Sequence, residues 1–208
     1  MTKFLLSFSL CLFIFLPIHS QAPEKPNSAE IHEAIKKLNF LGSVLYLAAH
    51  PDDENTRMIS YFSNEVHART AYLSITRGDG GQNLIGPEIR ELLGVIRTNE
   101  LLKARETDGG EQYFTRANDF GYSKHPDETL EIWNKELVMN DVVKVIRKFK
   151  PDVIINRFNA ESAGKTHGHH TSSAMLSTEA FDLAADASYK TETYQPWTIQ
   201  RLFFNTHW

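Results

Sequence analysis

The sequence is most informative at Ser43–Glu54, which reads SVLYLAAHPDDE. Its first seven residues form a nearly continuous apolar run of strand length, which is typical of a parallel strand buried on both faces. A histidine and three acids follow where that strand would end. Ligands of open parallel sheets bind outside the carboxyl ends of the strands. The stretch therefore predicts a buried strand that carries a functional loop.

Strand-like and helix-like stretches alternate through the rest of the chain. Apolar runs predict strands at 43–49, 69–76, 112–115, 153–158 and 201–205. Helical spacing of apolar residues predicts helices at 54–64, 88–105, 130–149 and 167–184, and residues 116–128 are polar and irregular. This order predicts βαβ units, an α/β fold with a mainly parallel sheet and right-handed crossovers. The loops that follow Ala49, Thr76, Thr115 and Phe158 would then share the ligand-binding edge.

Composition limits the classes of function. The chain has 208 residues, enough for one domain with a substantial core. Its 41% hydrophobic and 23% charged residues are ordinary for a globular protein. The formal net charge is −4 and no basic cluster stands out, which argues against a nucleic-acid partner.

The first twenty residues have the pattern of an export signal. Lys3 precedes an apolar run over 4–17, and small residues follow near 20–22. The run is too short for a comfortable membrane span, although an uncleaved membrane anchor is the alternative. We therefore expect a signal peptide at 1–20, an exported protein that is periplasmic or secreted, and no membrane span after signal removal. The lone cysteine, Cys11, would be lost, so a metal site must use histidine and carboxylate ligands.

Two further segments are predicted beyond the signal. Residues 21–30 are polar and contain proline, so 21–40 is interpreted as a linker and lead-in. Residues 41–208 would form the domain. The sequence stops directly after an apolar strand, which is what a piece of a longer protein would show.

The first candidate site follows the first predicted strand. With a helix that begins near Asp53, His50 and Asp53 can face one point, and Asp52 is displaced from it. Capping of a helix would explain one aspartate without a metal. It does not explain three acids crowded beside a histidine, which repel one another unless a cation lies among them. The pattern favours a metal site.

The second candidate site is the histidine cluster at the start of the last predicted helix. His167 and His170 are three residues apart and share a face within one helical turn, so His169 points elsewhere. A solvated helix start with histidine as a polar residue is the alternative interpretation.

Together the two stretches predict a catalytic metal site. His50, Asp53 and His170 would bind Zn²⁺ and leave a fourth position open, as catalytic zinc sites do. Zinc lowers the pKa of its bound water to roughly 7, and Asp52 could take the proton and later deliver it to a leaving amine. His167 could stabilise the oxyanion as an imidazolium. These parts predict metal-assisted hydrolysis of an amide or ester.

A glycine-rich loop, Thr76–Gly86, follows the second predicted strand. It lacks the lysine and hydroxyl pattern of a phosphate-binding loop. By itself its GDGG segment is typical of a simple turn. Its place after a strand makes it a candidate sugar-binding rim, with Arg77, Asp79 and Asn83 as the polar groups to test.

These motifs resemble those of the PIG-L/LmbE-like deacetylases. The resemblance rests on His50–Glu54, the Thr76–Gly81 loop, Arg97 with Glu100, and His167 with His170, and it covers about Ser43 to Trp208. It implies a Rossmann-like three-layer sandwich and removal of an N-acetyl group from an N-acetylglucosamine unit carried by a small molecule or a glycan. It also implies the same zinc ligands, Asp52 as general base and His167 as the oxyanion-stabilising residue.

One departure from that family concerns the position before the last histidine. Members often carry an aspartate there, which can orient the catalytic histidine, whereas this chain has His169. The carboxylate is therefore missing or comes from elsewhere in the chain. Two other functions remain open: a zinc amidase acting on other acylamides, and a non-catalytic carbohydrate-binding relative. The sequence does not indicate an oligomeric state.

Overall fold

The structure is a computed structural model that describes residues 25–191 and 193–206. Five parallel strands form one sheet in the order β3-β2-β1-β4-β5. The strands are β1 (Ser43–Ala48), β2 (Arg69–Ser74), β3 (Glu111–Phe114), β4 (Val153–Asn156) and β5 (Arg201–Phe204). The order reverses direction at β1, so the switch point of this doubly wound sheet lies between β1 and β4. The predicted α/β class and parallel sheet are confirmed.

The central strand β1 is buried along its whole length, as its apolar sequence predicts. Successive side chains of a strand point to opposite faces of the sheet. Leu45 and Leu47 accordingly pack into one core cluster, whereas Val44, Tyr46 and Ala48 pack into another. The sheet is therefore covered on both faces, which gives the three layers of a Rossmann-like sandwich.

Helices form the two outer layers. Leu130, Val142 and Leu176 cover the face of Leu45, and Ile59 and Leu101 cover the face of Tyr46. Helix α1 (Ser28–Lys37) precedes the sheet in the chain. The helices of the two layers are α2 (Thr56–Ser60), α3 (Glu91–Asp108), α4 (Pro126–Trp133), α5 (Lys135–Phe149) and α6 (Gly168–Ala185), and a π-helical turn, Tyr61–Glu65, continues α2.

Two predicted helices differ from the observed ones. The helix predicted at 130–149 is two helices, because Asn134 adopts a left-handed conformation, with φ 59°, and its side chain caps α5. The first of the two, α4, already begins at Pro126. The helix predicted from residue 54 begins at Thr56, because the side chain of Asn55 accepts a hydrogen bond from the Met58 amide. Asp53 therefore lies in the loop before α2.

The N-terminal segment contains a helix where a linker was predicted. Residues 28–30, at the end of the predicted linker 21–30, belong to α1. Asn27 Oδ1 accepts from the amide of Glu30, and Glu30 Oε2 accepts from the amide of Asn27, which is a reciprocal helix cap. The chain forms two units, 1–35 and 36–208, and all five strands belong to the second. The predicted signal at 1–20 lies outside the described residues.

Across 25–191 and 193–206, each helix is too short or too polar to cross a membrane.

Candidate metal centre

The carboxyl edge of the sheet gathers the chemically active side chains. The loop after β1 carries His50 and Asp53, the loop after β3 carries Asp119, and the segment from β4 to α6 carries His167 and His170. The side chains of His50, Asp53, Asp119, His167 and His170 line one cavity of about 520 Å³. The parallel order of the strands brings these separate stretches to one place.

The three predicted metal ligands lie together. Ligand atoms of His50, Asp53 and His170 all lie within 4.8 Å of one another. Asp53 Oδ2 is 3.2 Å from His50 Nδ1, and Asp53 Oδ1 is 3.5 Å from His170 Nε2. Asp53 is almost fully buried, at 6% exposure. Two imidazole nitrogens and one carboxylate oxygen that face a common cavity fit the donor set of a catalytic zinc ion.

The ring of His170 is held from behind. Its Nδ1 lies 3.0 Å from Thr166 Oγ1, and Phe158 stacks on the ring at 3.9 Å between centroids with an interplanar angle of 7°. Partners of this kind fix the orientation of a ligating imidazole. They leave Nε2 directed toward Asp53.

Asp119 belongs to the centre and was not predicted. Its Oδ1 lies 3.7 Å from His50 Nε2 and 3.2 Å from His169 Nε2. The residue falls in the stretch 116–128, which the sequence pattern describes only as polar and irregular. Its position in the loop after β3, at the ligand-binding edge, was the available signal. Asp119 supplies a carboxylate to the histidine cluster even though residue 169 is not acidic.

Two carboxylates change the charge of His50 in the metal-free protein. Burial lowers the pKa of His50, but contacts with Asp119 and Asp53 outweigh burial and raise the pKa to about 9. Burial likewise opposes ionisation of Asp53 and Asp119, yet the neighbouring histidines hold the pKa of both carboxyls below the usual value. The metal-free centre therefore holds a proton on His50 between two carboxylates, at a place suited to a cation.

His167 lies at the N-cap of α6, and His169 lies against it. His167 Nδ1 accepts a hydrogen bond from the His169 amide at 3.2 Å, and the two Nδ1 atoms are 2.9 Å apart. The prediction that His169 points elsewhere is therefore wrong, because His167 precedes the first helical turn instead of sharing it. His169 is fully buried and also contacts Ser123 Oγ at 3.0 Å.

The charge of His167 differs from the imidazolium expected from the sequence. Burial, followed by the neighbouring His169, His50 and His170, lowers the pKa of His167 to about 4. The imidazole is neutral at pH 7. Because Nδ1 accepts from a backbone amide, the proton of the neutral ring belongs on Nε2.

Asp52 lies beside the three ligands at the cavity wall, with its side chain 69% exposed. Its φ of 92° is unusual for a residue with a side chain. Glu54 Oε2 accepts a hydrogen bond from the Asp52 amide at 2.9 Å, and Arg97 Nη2 lies 2.9 Å from Asp52 Oδ2. Arg97 also donates to the carbonyl of Pro51. The backbone and carboxylate of Asp52 are thus held by two partners.

The three predicted sugar contacts are not brought to the metal cavity. Arg77 donates to Thr98 Oγ1, and Asp79 Oδ1 accepts from the Asp119 amide at 3.1 Å. Both line a separate cavity of about 330 Å³. Asn83 lines a third cavity, of about 550 Å³. Within this loop, Gly80 and Gly81 are the residues that reach the metal cavity.

Gly80 shows why the loop needs glycine there. A Cβ atom added to Gly80 would lie 2.5 Å from the backbone nitrogens of Phe120 and Gly121. Only glycine permits so close an approach between two backbones. The contact fixes the position of the loop that carries Asp119.

A second group of possible ligand atoms overlaps the first. Atoms of His50, His167 and His169 also lie within 4.8 Å of one another. This group contains no carboxylate, whereas the first group includes Asp53. Among the described residues, geometry alone therefore allows two sets of metal ligands. Both contain His50; one adds Asp53 and His170, and the other adds His167 and His169.

The fold and the site define a class: a Rossmann-like protein with a three-ligand metal centre at the carboxyl edge of its sheet. The family described as "PIG-L: GlcNAc-PI de-N-acetylase" matches residues 45–181. The chain belongs to this family. The matched range includes His50, Asp53, Asp119, His167 and His170.

Curated relatives carry deacetylase names. The chain is 24% identical over 181 residues to a 1D-myo-inositol 2-acetamido-2-deoxy-alpha-D-glucopyranoside deacetylase of Streptomyces scabiei, with 78% of this chain and 55% of the relative covered. It is 28% identical over 188 residues to a protein of the same name from Kribbella flavida, with 77% and 60% covered. The chain thus spans little more than half the length of these relatives.

Solved structures share the fold. The N,N'-diacetylchitobiose deacetylase of Pyrococcus horikoshii is similar with a TM-score of 0.56 and 17% identity, over 81% of this chain and 63% of that chain. The 4-carboxy-2-hydroxymuconate hydratase GalB of Pseudomonas putida is similar with a TM-score of 0.59 and 16% identity, over 78% and 64%. Since a deacetylase and a hydratase share this fold, the function must be argued from the site.

Proposed function

We propose that this protein is a zinc-dependent deacetylase that removes the N-acetyl group from an amino-sugar substrate of the N-acetylglucosamine type. The observation that carries the proposal is the group His50, Asp53 and His170, which lines one cavity together with Asp52. Membership of the PIG-L family and the deacetylase names of the relatives support the same reaction and substrate class.

In this proposal His50, Asp53 and His170 hold the zinc ion. The group with Asp53 is favoured over the three-histidine group because its carboxylate charge offsets that of the cation, and because Thr166 and Phe158 already orient His170. A bound zinc ion would supply an activated water and a Lewis acid for the acetamide carbonyl.

Asp52 is proposed as the proton carrier of the reaction. Its carboxylate is largely exposed to the cavity, so it can accept a proton from the attacking water and donate one to the departing amine. Glu54 and Arg97 would keep the carboxylate in place through the contacts to its amide and side chain. Orientation of this kind lowers the entropic part of a reaction barrier.

His167 is proposed to stabilise the oxyanion as a neutral donor. Its Nδ1 is occupied as an acceptor of the His169 amide, so Nε2–H is available to the carbonyl oxygen of the substrate. His169 contacts this ring through its Nδ1 and limits its movement, and Asp119 in turn contacts His169.

We also propose that the protein acts outside the cytoplasm, because residues 1–20 have the pattern of a secretory signal.

The test is acetate release from a panel of N-acetylated amino sugars by zinc-loaded and chelator-treated protein, with acetylated peptides as a second panel. The proposal expects acetate from the sugars only when zinc is present. Acetate from the peptides alone would make the protein an amidase of another specificity. Sugar binding without acetate from either panel would favour a carbohydrate-binding relative and contradict the proposal.

A further inference from the structure

The cavity that Asn83 lines adjoins the metal cavity. It has a volume of about 550 Å³ and lies between α3 and the loop Gln82–Glu88. The two cavities share Asp52 and Arg97 in their walls. Cavities of this volume accommodate small organic groups. A molecule that reaches past Asp52 from the metal cavity would enter this second cavity, which is called here the loop cavity.

Helix α3 gives the loop cavity a charged end and an apolar end. Leu93, Ile96, Arg97 and Glu100 line it, and their spacing places them on one face of the helix. Arg97 contacts both Asp52, at 2.9 Å, and Glu100, at 3.7 Å, so the charged end lies beside the metal centre. Leu93 and Ile96 lie one turn closer to the start of the helix. The wall that α3 contributes therefore carries apolar side chains beside its charged pair.

The loop that forms the opposite wall carries two large apolar side chains in water. Leu84 is 90% exposed and Ile85 is 96% exposed. The loop holds a defined turn, because Asn83 Nδ2 donates to Glu88 Oε2 at 2.8 Å and Asn83 Oδ1 accepts from the Ile85 amide at 3.1 Å. Neighbouring apolar groups left in water on a turn of this kind would be stabilised by contact with an apolar ligand.

We propose that the loop cavity is a substrate subsite for an apolar group, aryl or alkyl, that is joined to the amino sugar. The inference rests on the proposed function, since it places the acetamide at the metal centre. The sugar would pass the polar groups of Arg97 and Glu100, and the apolar group would cover Leu84, Ile85 and Ile96. The shared walls at Asp52 and Arg97, which place the loop cavity directly beside the metal cavity, are the reason for choosing substrate as the occupant over a second protein.

The experiment compares phenyl and methyl N-acetyl-β-glucosaminides as substrates of the full zinc-loaded chain. The wild type is expected to favour the phenyl compound in kcat/KM by about tenfold, the factor expected when one ring surface is buried. A Leu84→Ser/Ile85→Ser variant should lose most of this preference and keep its rate on the methyl compound. Ile132→Ser, an exposed apolar residue of α4 that does not line the loop cavity, is the matched control and should keep the preference.

A second measurement separates the subsite from the reaction. Calorimetric titration of both glycosides into metal-free protein should give a lower Kd for the phenyl compound, and the double variant should remove the difference. If this holds while neither compound releases acetate, the subsite stands and the proposed function fails. If both compounds release acetate with equal kcat/KM and equal Kd, the function stands and the subsite is overturned.

Light scattering completes the test. A double variant with an altered oligomeric state and an unchanged phenyl preference would show that Leu84 and Ile85 contact another protein chain, which overturns the subsite. An unchanged mass with a lost preference supports it.

Discussion

Replacement of Asp119 by Asn tests how the metal centre is charged. Asp119 and Asp53 together outweigh burial and raise the pKa of His50 to about 9 from the usual 6.5. Asparagine keeps the shape and removes one of the two charges. We expect the pKa of His50 in the Asp119→Asn variant to fall by about one unit or more, toward 6.5. Histidine NMR titration of the metal-free proteins measures both values.

The same substitution changes how zinc binding depends on pH. A zinc ion must displace the proton of His50, so the apparent affinity of the wild type should rise about tenfold from pH 7 to pH 8 through this proton alone. In Asp119→Asn the rise should be smaller, because less of His50 is protonated at pH 7. Competition with a chelating dye at the two pH values gives the slopes.

The raised pKa of His50 also determines how the stability of the metal-free protein changes with pH. The contacts with Asp119 and Asp53 stabilise the metal-free fold fully below pH 6.5, and this contribution is lost as the pH rises through about 9. The Tm of the metal-free wild type should fall between pH 7 and pH 10 by more than that of Asp119→Asn. A wild-type His50 pKa near 6.5, or equal pKa values in the two proteins, would refute this description of the centre.

Four further substitutions test separate parts of the structure. His170→Ala should remove most of the bound zinc, whereas His167→Ala should retain zinc and lower kcat by about 100-fold. Metal analysis of the two purified variants measures the zinc. Loss of zinc in His167→Ala and its retention in His170→Ala would show that the two roles are exchanged. Arg147 is buried and donates to the carbonyls of Ala184 and Tyr189, among others, so Arg147→Ala should lower the free energy of unfolding by about 3 kcal/mol in urea titrations. Asn134 has φ 59° and caps α5, so Asn134→Ala should cost about 1 kcal/mol in the same assay, and a change near zero would contradict the capping role.

The inner strands β1, β2 and β4 were predictable because most of their residues are buried. A nearly continuous apolar run such as Ser43–Ala49 has few alternatives to a central parallel strand, and the observed β1 ends one residue earlier. The break at Asn134 was not predictable from apolar spacing, because the residues on both sides keep a helical pattern. A left-handed asparagine leaves little trace in that pattern.

The site was predictable where its residues belong to short motifs that follow a predicted strand. His50 and Asp53 share one loop, and His170 starts a helix after a strand, so topology brings them to one edge. Asp119 was missed because no motif surrounds it and because the stretch 116–128 also contains Asp127 and Glu128. Its partners, His50 and His169, are far from it in sequence. Arg77 and Asp79 were assigned to the sugar rim from loop position alone, but their side chains turn toward Thr98 and the Asp119 amide.

The central claim is that Asp52 transfers protons beside a zinc ion held by His50, Asp53 and His170. The most direct measurement is acetate release from an N-acetylglucosamine derivative by wild type and Asp52→Asn, with the zinc content determined in the same samples. We predict that the variant keeps one zinc ion per chain and loses acetate release by at least about 100-fold, as expected for loss of a general base. A variant that keeps both zinc and full activity would contradict the claim.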